Sequence, residues 1–196
     1  LSRTSPRSSS FALVAAISAS TASGLWPCRA TPHHELRAEK ARRHERDWVF
    51  GEGYPGYDTS VGWFHYSDEQ VRENARRAVD SGFSAMKLKV GSADTARDVR
   101  RALMVREVVG PEVQIMLDAN QQWNLPKAIR ICLELAAMSP YWIEEPTHPD
   151  DVLAHQTLAR AIAPIAVAVG EHIPHRVLFK NYMQAGAARF IQVDCT

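Results

Sequence analysis

Five short apolar runs in this chain each close on a charged residue: Lys89, with Lys87 two positions before it, then Asp118, Glu144, Glu171 and Asp194. Three carboxylates brought to one mouth, those of Asp118, Glu144 and Glu171, would repel one another in a partly dry site unless a cation sat between them. Hard oxygen ligands, with positions left for water and substrate, suit Mg²⁺ better than zinc, which favours His and Cys. Lys87 and Lys89, close to each other and to such a cation, are expected to have depressed pKa values. A lysine that is neutral near pH 7 is a general base. Beside a cation that holds a substrate carboxylate, it could take the proton from the adjoining carbon. Taken singly, each acid reads as an ordinary strand-end carboxylate paired with a helix or a lysine, and Lys-Leu-Lys as a solvated edge strand. Three acids in successive units, with the lysines on the strand before, favour the chemical reading.

Convergence of these residues depends on the elements that carry them. The steps from Lys89 to Asp118, Glu144, Glu171 and Asp194 are about 23 to 29 residues each, the length of a strand, a helix and two tight loops. In a (β/α)₈ barrel the carboxyl ends of all strands open onto one face. The pattern predicts strands over 54–61, 85–90, 113–120, 141–144, 165–171 and 190–194. Helices are expected from Ser67 to Gly82, over 98–109, from Pro126 through Ala136, over 151–162 with Thr147 or Asp150 as its cap, and over 177–187. In Ala85-Met86-Lys87-Leu88-Lys89-Val90 the lysines share one side and the apolar residues the other. Asp118 and Asn120 share parity, so they project together if their strand continues. The expected fold class is α/β, a partial TIM-type barrel with strands one to six of eight. Six strands leave sheet edges open and the apolar inner face exposed.

Of the 196 residues, 45% are hydrophobic and the formal net charge is +1, which supports a sizeable core and gives no electrostatic case for nucleic acid. No apolar run approaches the ~20 residues that span a bilayer, so no membrane partner is expected. Cys28, Cys132 and Cys195 lack C-x-x-C spacing, which points away from a disulfide framework or a zinc site and towards a reducing compartment. No Gly-x-Gly-x-x-Gly or phosphate loop follows any strand. Residues 1–34 contain no Asp or Glu and read as an unassigned leader, either a targeting peptide or a disordered or non-native segment. Residues 35–52 read as a charged helical lead-in, and 53–196 as an incomplete barrel domain. A start at Leu1 and a stop at Thr196, after an apolar run, read as a fragment.

Lys87-Leu88-Lys89, Asp118-Ala119-Asn120, Trp142-Ile143-Glu144-Glu145-Pro146-Thr147 and Gly170-Glu171-His172 together resemble the signature of the enolase superfamily, mandelate racemase subgroup. Gly53-Tyr54-Pro55, Thr59-Ser60-Val61-Gly62-Trp63, Pro149-Asp150-Asp151 and Arg176-Val177-Leu178-Phe179-Lys180 narrow the similarity to L-fuconate dehydratases and the mitochondrial enolase superfamily proteins of eukaryotes. The resemblance covers about residues 35–196, and the N-terminal capping domain it implies before the barrel is not recognisable in residues 1–34. It implies a hydro-lyase that uses Mg²⁺ to dehydrate a small-molecule acid sugar to a 2-keto-3-deoxy acid, in a homo-oligomer of the cytoplasm or mitochondrion. It makes Asp118, Glu144 and Glu171 the metal ligands and Lys89 the base, with Lys87 and Asn120 assisting and Glu145 and His172 at the substrate. Asp194 matches an acid that orients a histidine of the seventh strand. Muconate-cycloisomerase-like members carry a lysine on the strand of Asp194, and this chain has none there. Gln122 stands where arginine is usual and His175 where asparagine is, departures that bear on substrate choice. Two alternatives remain open, a catalytically inactive truncated chain and another acid-sugar dehydratase or racemase of the same subgroup.

Overall fold

The computed structural model describes residues 13–16 and 56–194. Its strands are β1 (Leu13–Ala16), β2 (Asp58–Gly62), β3 (Ala85–Lys89), β4 (Gln114–Asp118), β5 (Trp142–Glu144), β6 (Ala166–Val169) and β7 (Phe190–Val193). Between β2 and β7 each connection carries one helix: α1 (Asp68–Asp80), α2 (Thr95–Val109), α3 (Leu125–Leu135, continued by a 3₁₀ turn at Ala136–Met138), α4 (Val152–Ala161) and α5 (Arg176–Ala185). The sheet order is β1-β7-β6-β5-β4-β3-β2. The run from β2 to β7 is parallel throughout. These are the six expected units. Apart from Leu13–Ala16, the leader and the charged segment 35–52 lie outside the described residues, as does Tyr54 of the first expected strand.

Cap chemistry moves several helix starts from their expected places. Asp94 accepts from Arg97 N at 2.9 Å, so α2 starts at Thr95 rather than at Asp98. The cap of α4 is Asp151, which accepts from Ala154 N at 2.9 Å, and neither Thr147 nor Asp150 takes that role. Ser67, Asn124 and His175 cap α1, α3 and α5 in the same way. Such caps satisfy amides that a helix end leaves without partners, each worth about 1 kcal/mol.

Strand alternation sends Met86, Leu88, Ile115, Leu117, Ile143 and Val167 into one large core, packed against helix residues such as Val71, Val105, Ile131 and Leu158. Truncating one of these buried side chains to alanine costs about 2–5 kcal/mol. The other face carries Met116, Trp142, Ala166, Ala168 and Phe190, with Tyr57 and Ala85 packed on them. The expectation of an exposed inner face is corrected here, since all five are buried. Aromatic packing fills the concavity: Trp142 and Phe190 lie 5.0 Å apart between ring centres, and Tyr57 meets Trp142 edge-on at 6.0 Å. The β7 edge is covered as well, by β1, which pairs with it antiparallel from Leu13↔Val193 to Ala16↔Phe190. Among the described residues, no helix is long and apolar enough to cross a membrane.

Candidate metal centre and proton-transfer site

Register brings the charged groups together. Lys89 pairs with Asp118 and Asp118 with Glu144, one row across β3, β4 and β5 on the inner face. Lys89 Nζ donates to Asp118 Oδ2 at 2.5 Å and to Asn120 Oδ1 at 2.7 Å. Lys87 Nζ donates to Glu144 Oε1 at 2.7 Å and lies 3.4 Å from Asp118 Oδ2. Glu171 follows the end of β6, and one ligand oxygen from each of Asp118, Glu144 and Glu171 falls within 4.8 Å of the others. A second cluster of the same tightness joins Glu145, Glu171 and His172. His172 Nδ1 lies 2.8 Å from Glu145 Oε2, which also accepts from Gln121 Nε2 at 3.0 Å. Asp194 is exposed at the carboxyl end of β7, the end of the sheet that carries these groups.

The loops that hold these residues are bent in a way strand parity does not foresee. β4 stops at Asp118, and Asn120 and Gln121 take φ values of 44° and 65°. Asn120 therefore reaches Lys89 through a left-handed turn rather than through strand alternation. Glu145, at φ 42°, turns likewise after β5. Left-handed backbone at a residue other than glycine costs about 1–3 kcal/mol and persists where surroundings over-determine it. Here the ladder continues past the strands: Ala119 N donates to Glu144 O at 3.0 Å, Gln121 N to Glu145 O at 2.7 Å and Glu145 N to Ala168 O at 2.9 Å. Behind that loop, Thr147 Oγ1 meets the buried His155 ring at 3.1 Å, and Tyr182 Oη donates to Pro149 O at 2.7 Å.

Burial, with Asp118 beside it, pushes the Glu144 carboxyl up to about 7, despite the opposing pull of Lys87. Glu171 is raised too, by burial and then by Glu145 and Asp118. These are the marks of a carboxylate group short of positive charge. For Lys87 the surrounding carboxylates act against the depression expected beside a bound cation. Burial pulls its ammonium down, but Glu144 and Asp118 together outweigh that, and the net shift is upward. For Lys87, attraction to these carboxylates sets the balance. Three oxygen donors within 4.8 Å form the kind of set a hard divalent cation takes.

Sequence reasoning gave no role to several residues around this cluster. Trp142 Nε1 donates to Glu144 Oε2 at 3.1 Å, and the buried Gln192 amide nearby favours the ionised form of Glu144. Trp63 lies over Lys89, ring centre 5.2 Å from Nζ, and Tyr57 over Lys87 at 5.7 Å. Parity could have found Gln192, two residues before Asp194 on the same strand. Nothing local marks Trp63 or Tyr57. A cavity of about 330 Å³ lies elsewhere, lined by Arg106, Gln114, Tyr141 and Arg189 at the amino-terminal end of the strands.

Residues 70–196 match the family model described as enolase C-terminal domain-like. The chain belongs to that family. It is 40% identical over 160 residues to mitochondrial enolase superfamily member 1 of Homo sapiens, a match that covers 81% of this chain and 36% of that protein. L-galactonate dehydratase of Hypocrea jecorina is 37% identical over 164 residues, covering 82% and 36%. The crystal structure of the human mitochondrial protein superposes with a TM-score of 0.74 at 39% identity, over 78% of this chain and 35% of that one. L-talarate dehydratase from Polaromonas sp. JS666, complexed with Mg and L-glucarate, gives a TM-score of 0.64 at 36% identity, over 67% and 37%. The enolase-superfamily chain described here thus spans about a third of the length of the curated relatives it matches. Those relatives include named dehydratases and cycloisomerases, which makes the parent family one of enzymes.

Proposed function

We propose that this site serves the Mg²⁺-dependent dehydration of an acid sugar to a 2-keto-3-deoxy acid, with L-fuconate the substrate nearest the sequence resemblance. The carrying observation is the row of Lys89, Asp118 and Glu144, with Lys87 and Glu171 closing on it. Relatives named as galactonate and talarate/galactarate dehydratases support the substrate class. Asp118, Glu144 and Glu171 would hold Mg²⁺, which supplies positive charge for the substrate carboxylate when bound. Lys87, kept as an ammonium by Glu144 and Asp118, orients that carboxylate and balances its charge. Lys89 Nζ receives the proton from the carbon next to the carboxylate. Loss of the hydroxyl one carbon further on, as water, leaves an enol that becomes the 2-keto product. Asn120 fixes Lys89 through its 2.7 Å contact, Glu145 and His172 bind sugar hydroxyls, and Asp194 would orient the seventh-strand histidine of the family, which gives the departing hydroxyl its proton. Cytosol or mitochondrion is the proposed compartment.

A panel of acid sugars, L-fuconate and L-galactonate among them, tests this by 2-keto acid formation with and without Mg²⁺. Turnover that needs Mg²⁺ and falls at least about 10³-fold in Lys89→Ala is expected, on the scale of losing a catalytic base. Saturable Mg²⁺ binding with no turnover on any sugar would count against this activity.

A further inference from the structure

Two arginines one turn apart on α2, Arg97 and Arg101, reach back to the turn that follows β2. Arg97 Nη1 donates to Phe64 O at 3.2 Å and Nη2 to Tyr66 O at 3.0 Å. Arg101 Nη2 donates to Trp63 O and Tyr66 O, both at 3.3 Å, and its Nε lies 3.2 Å from Asp68 Oδ1 at the start of α1. Arg101 is buried, and packing alone would be served by methionine or leucine without the cost of burying a guanidinium. The two side chains instead grip three carbonyls of a single turn, which is closed by Tyr66 N donating to Trp63 O at 3.1 Å. Asp98, buried on the same helix, accepts from Gly91 N at 2.9 Å and from Ser92 N at 2.7 Å, which fixes the turn that leaves Lys89. One helix thus ties down both the exit of Lys89 and the turn that bears Trp63.

The gripped turn sets the Trp63 ring over Lys89, its centre 5.2 Å from Nζ, with 43% of the residue exposed. A carbon that gives its proton to Nζ approaches to about 3–3.5 Å. The remainder of a sugar chain then comes within reach of the indole, whose flat apolar face suits C–H groups and whose N–H suits a hydroxyl. From this geometry we infer that Trp63 walls the carbon chain of an acid sugar at Lys89, and that Arg97 and Arg101 are positioning residues that hold it there. The inference rests on the acid-sugar reading above. It gives the cation to the carboxylate cluster and the sugar chain to Trp63, so changes in the turn should affect sugar binding and spare cation binding.

The test combines ¹⁹F NMR and calorimetry on the intact 196-residue chain, labelled for NMR with 5-fluorotryptophan. Loss of one signal in Trp63→Phe assigns the resonance. It should move when the tightest-binding of L-galactonate, L-fuconate and galactarate is added at saturating Mg²⁺, a readout that needs neither turnover nor an arginine variant. Trp63→Ala and Arg101→Met should each weaken binding of that sugar about tenfold and leave Mg²⁺ affinity within about twofold, a split that general loss of structure would not give. Because the arginine acts through the indole, Arg101→Met should add less than about twofold to Trp63→Ala. Should Arg101→Met fail to fold, Arg97→Met tests the same grip at a side chain 32% exposed, with the same split expected. An unmoved Trp63 resonance with the sugar bound, unchanged sugar affinity, equal losses of sugar and Mg²⁺ affinity, or full additivity overturns the inference and leaves the acid-sugar reading standing. A wild type that binds none of the three sugars overturns both.

Discussion

Glu144 shows at the level of a single residue how the cluster stores chemistry. Its carboxyl is fully buried, accepts from Lys87 and Trp142, and still lies at about 7 rather than the ordinary 4.5. A folded-state value above the unfolded one means that its contribution to stability is fully present below about 4.5 and is lost as the pH rises through about 7. Cation binding requires the ionised form, so Mg²⁺ should expel a proton from this group at pH 6.5 and much less of one at pH 8.5. Calorimetry in buffers of differing ionisation heat reads this directly. Heats independent of the buffer at pH 6.5 would remove Glu144 as the proton source, and Glu144→Gln should abolish the pH 6.5 release.

At the scale of elements, the strand-end loops are where backbone demands are strictest. Gly170→Ala should destabilise the chain by about 3 kcal/mol or more, because the new methyl meets the Gln192 backbone rather than a movable side-chain end. Chemical denaturation measures it, and a loss under about 1 kcal/mol would contradict the close approach of β6 and β7. His155 lies under the β5–α4 loop, buried among Thr147, the Asp151 carbonyl and Tyr182. Burial lowers its pKa below 6.5. The stability it contributes is therefore present above 6.5 and is lost as the pH falls through the depressed value. Between pH 7 and 5 the urea midpoint of the wild type should drop more than that of His155→Asn, whose overall stability is lower by about 1–3 kcal/mol. Parallel slopes for the two proteins would assign the acid sensitivity to other groups. Strands and helices were legible because period and caps are local. The turns at Asn120 and Glu145 were not, since non-glycine residues take such φ values only under constraint from neighbouring strands.

For the molecule as a whole, the six parallel strands turn a linear series of charged residues into one cluster whose stability should depend on the ion. Mg²⁺ at about 100 times its Kd should stabilise the fold by about 2.7 kcal/mol, and a chelator should reverse the gain. Thermal unfolding with Mg²⁺ and then EDTA tests this; an unchanged midpoint at millimolar Mg²⁺ would rule out tight binding by these carboxylates. The sequence alone determined the βα repeat, the inward lysines and the three spaced acids, because strand alternation and repeat length are properties of the chain itself. Tertiary structure decided the rest. It set the register that puts Lys89, Asp118 and Glu144 in one row. It brought Glu144 and Asp118 against Lys87 from other strands, and together they raise its pKa. And it brought Gln192, Trp63 and Tyr57 to the cluster through long-range contacts that no local pattern encodes.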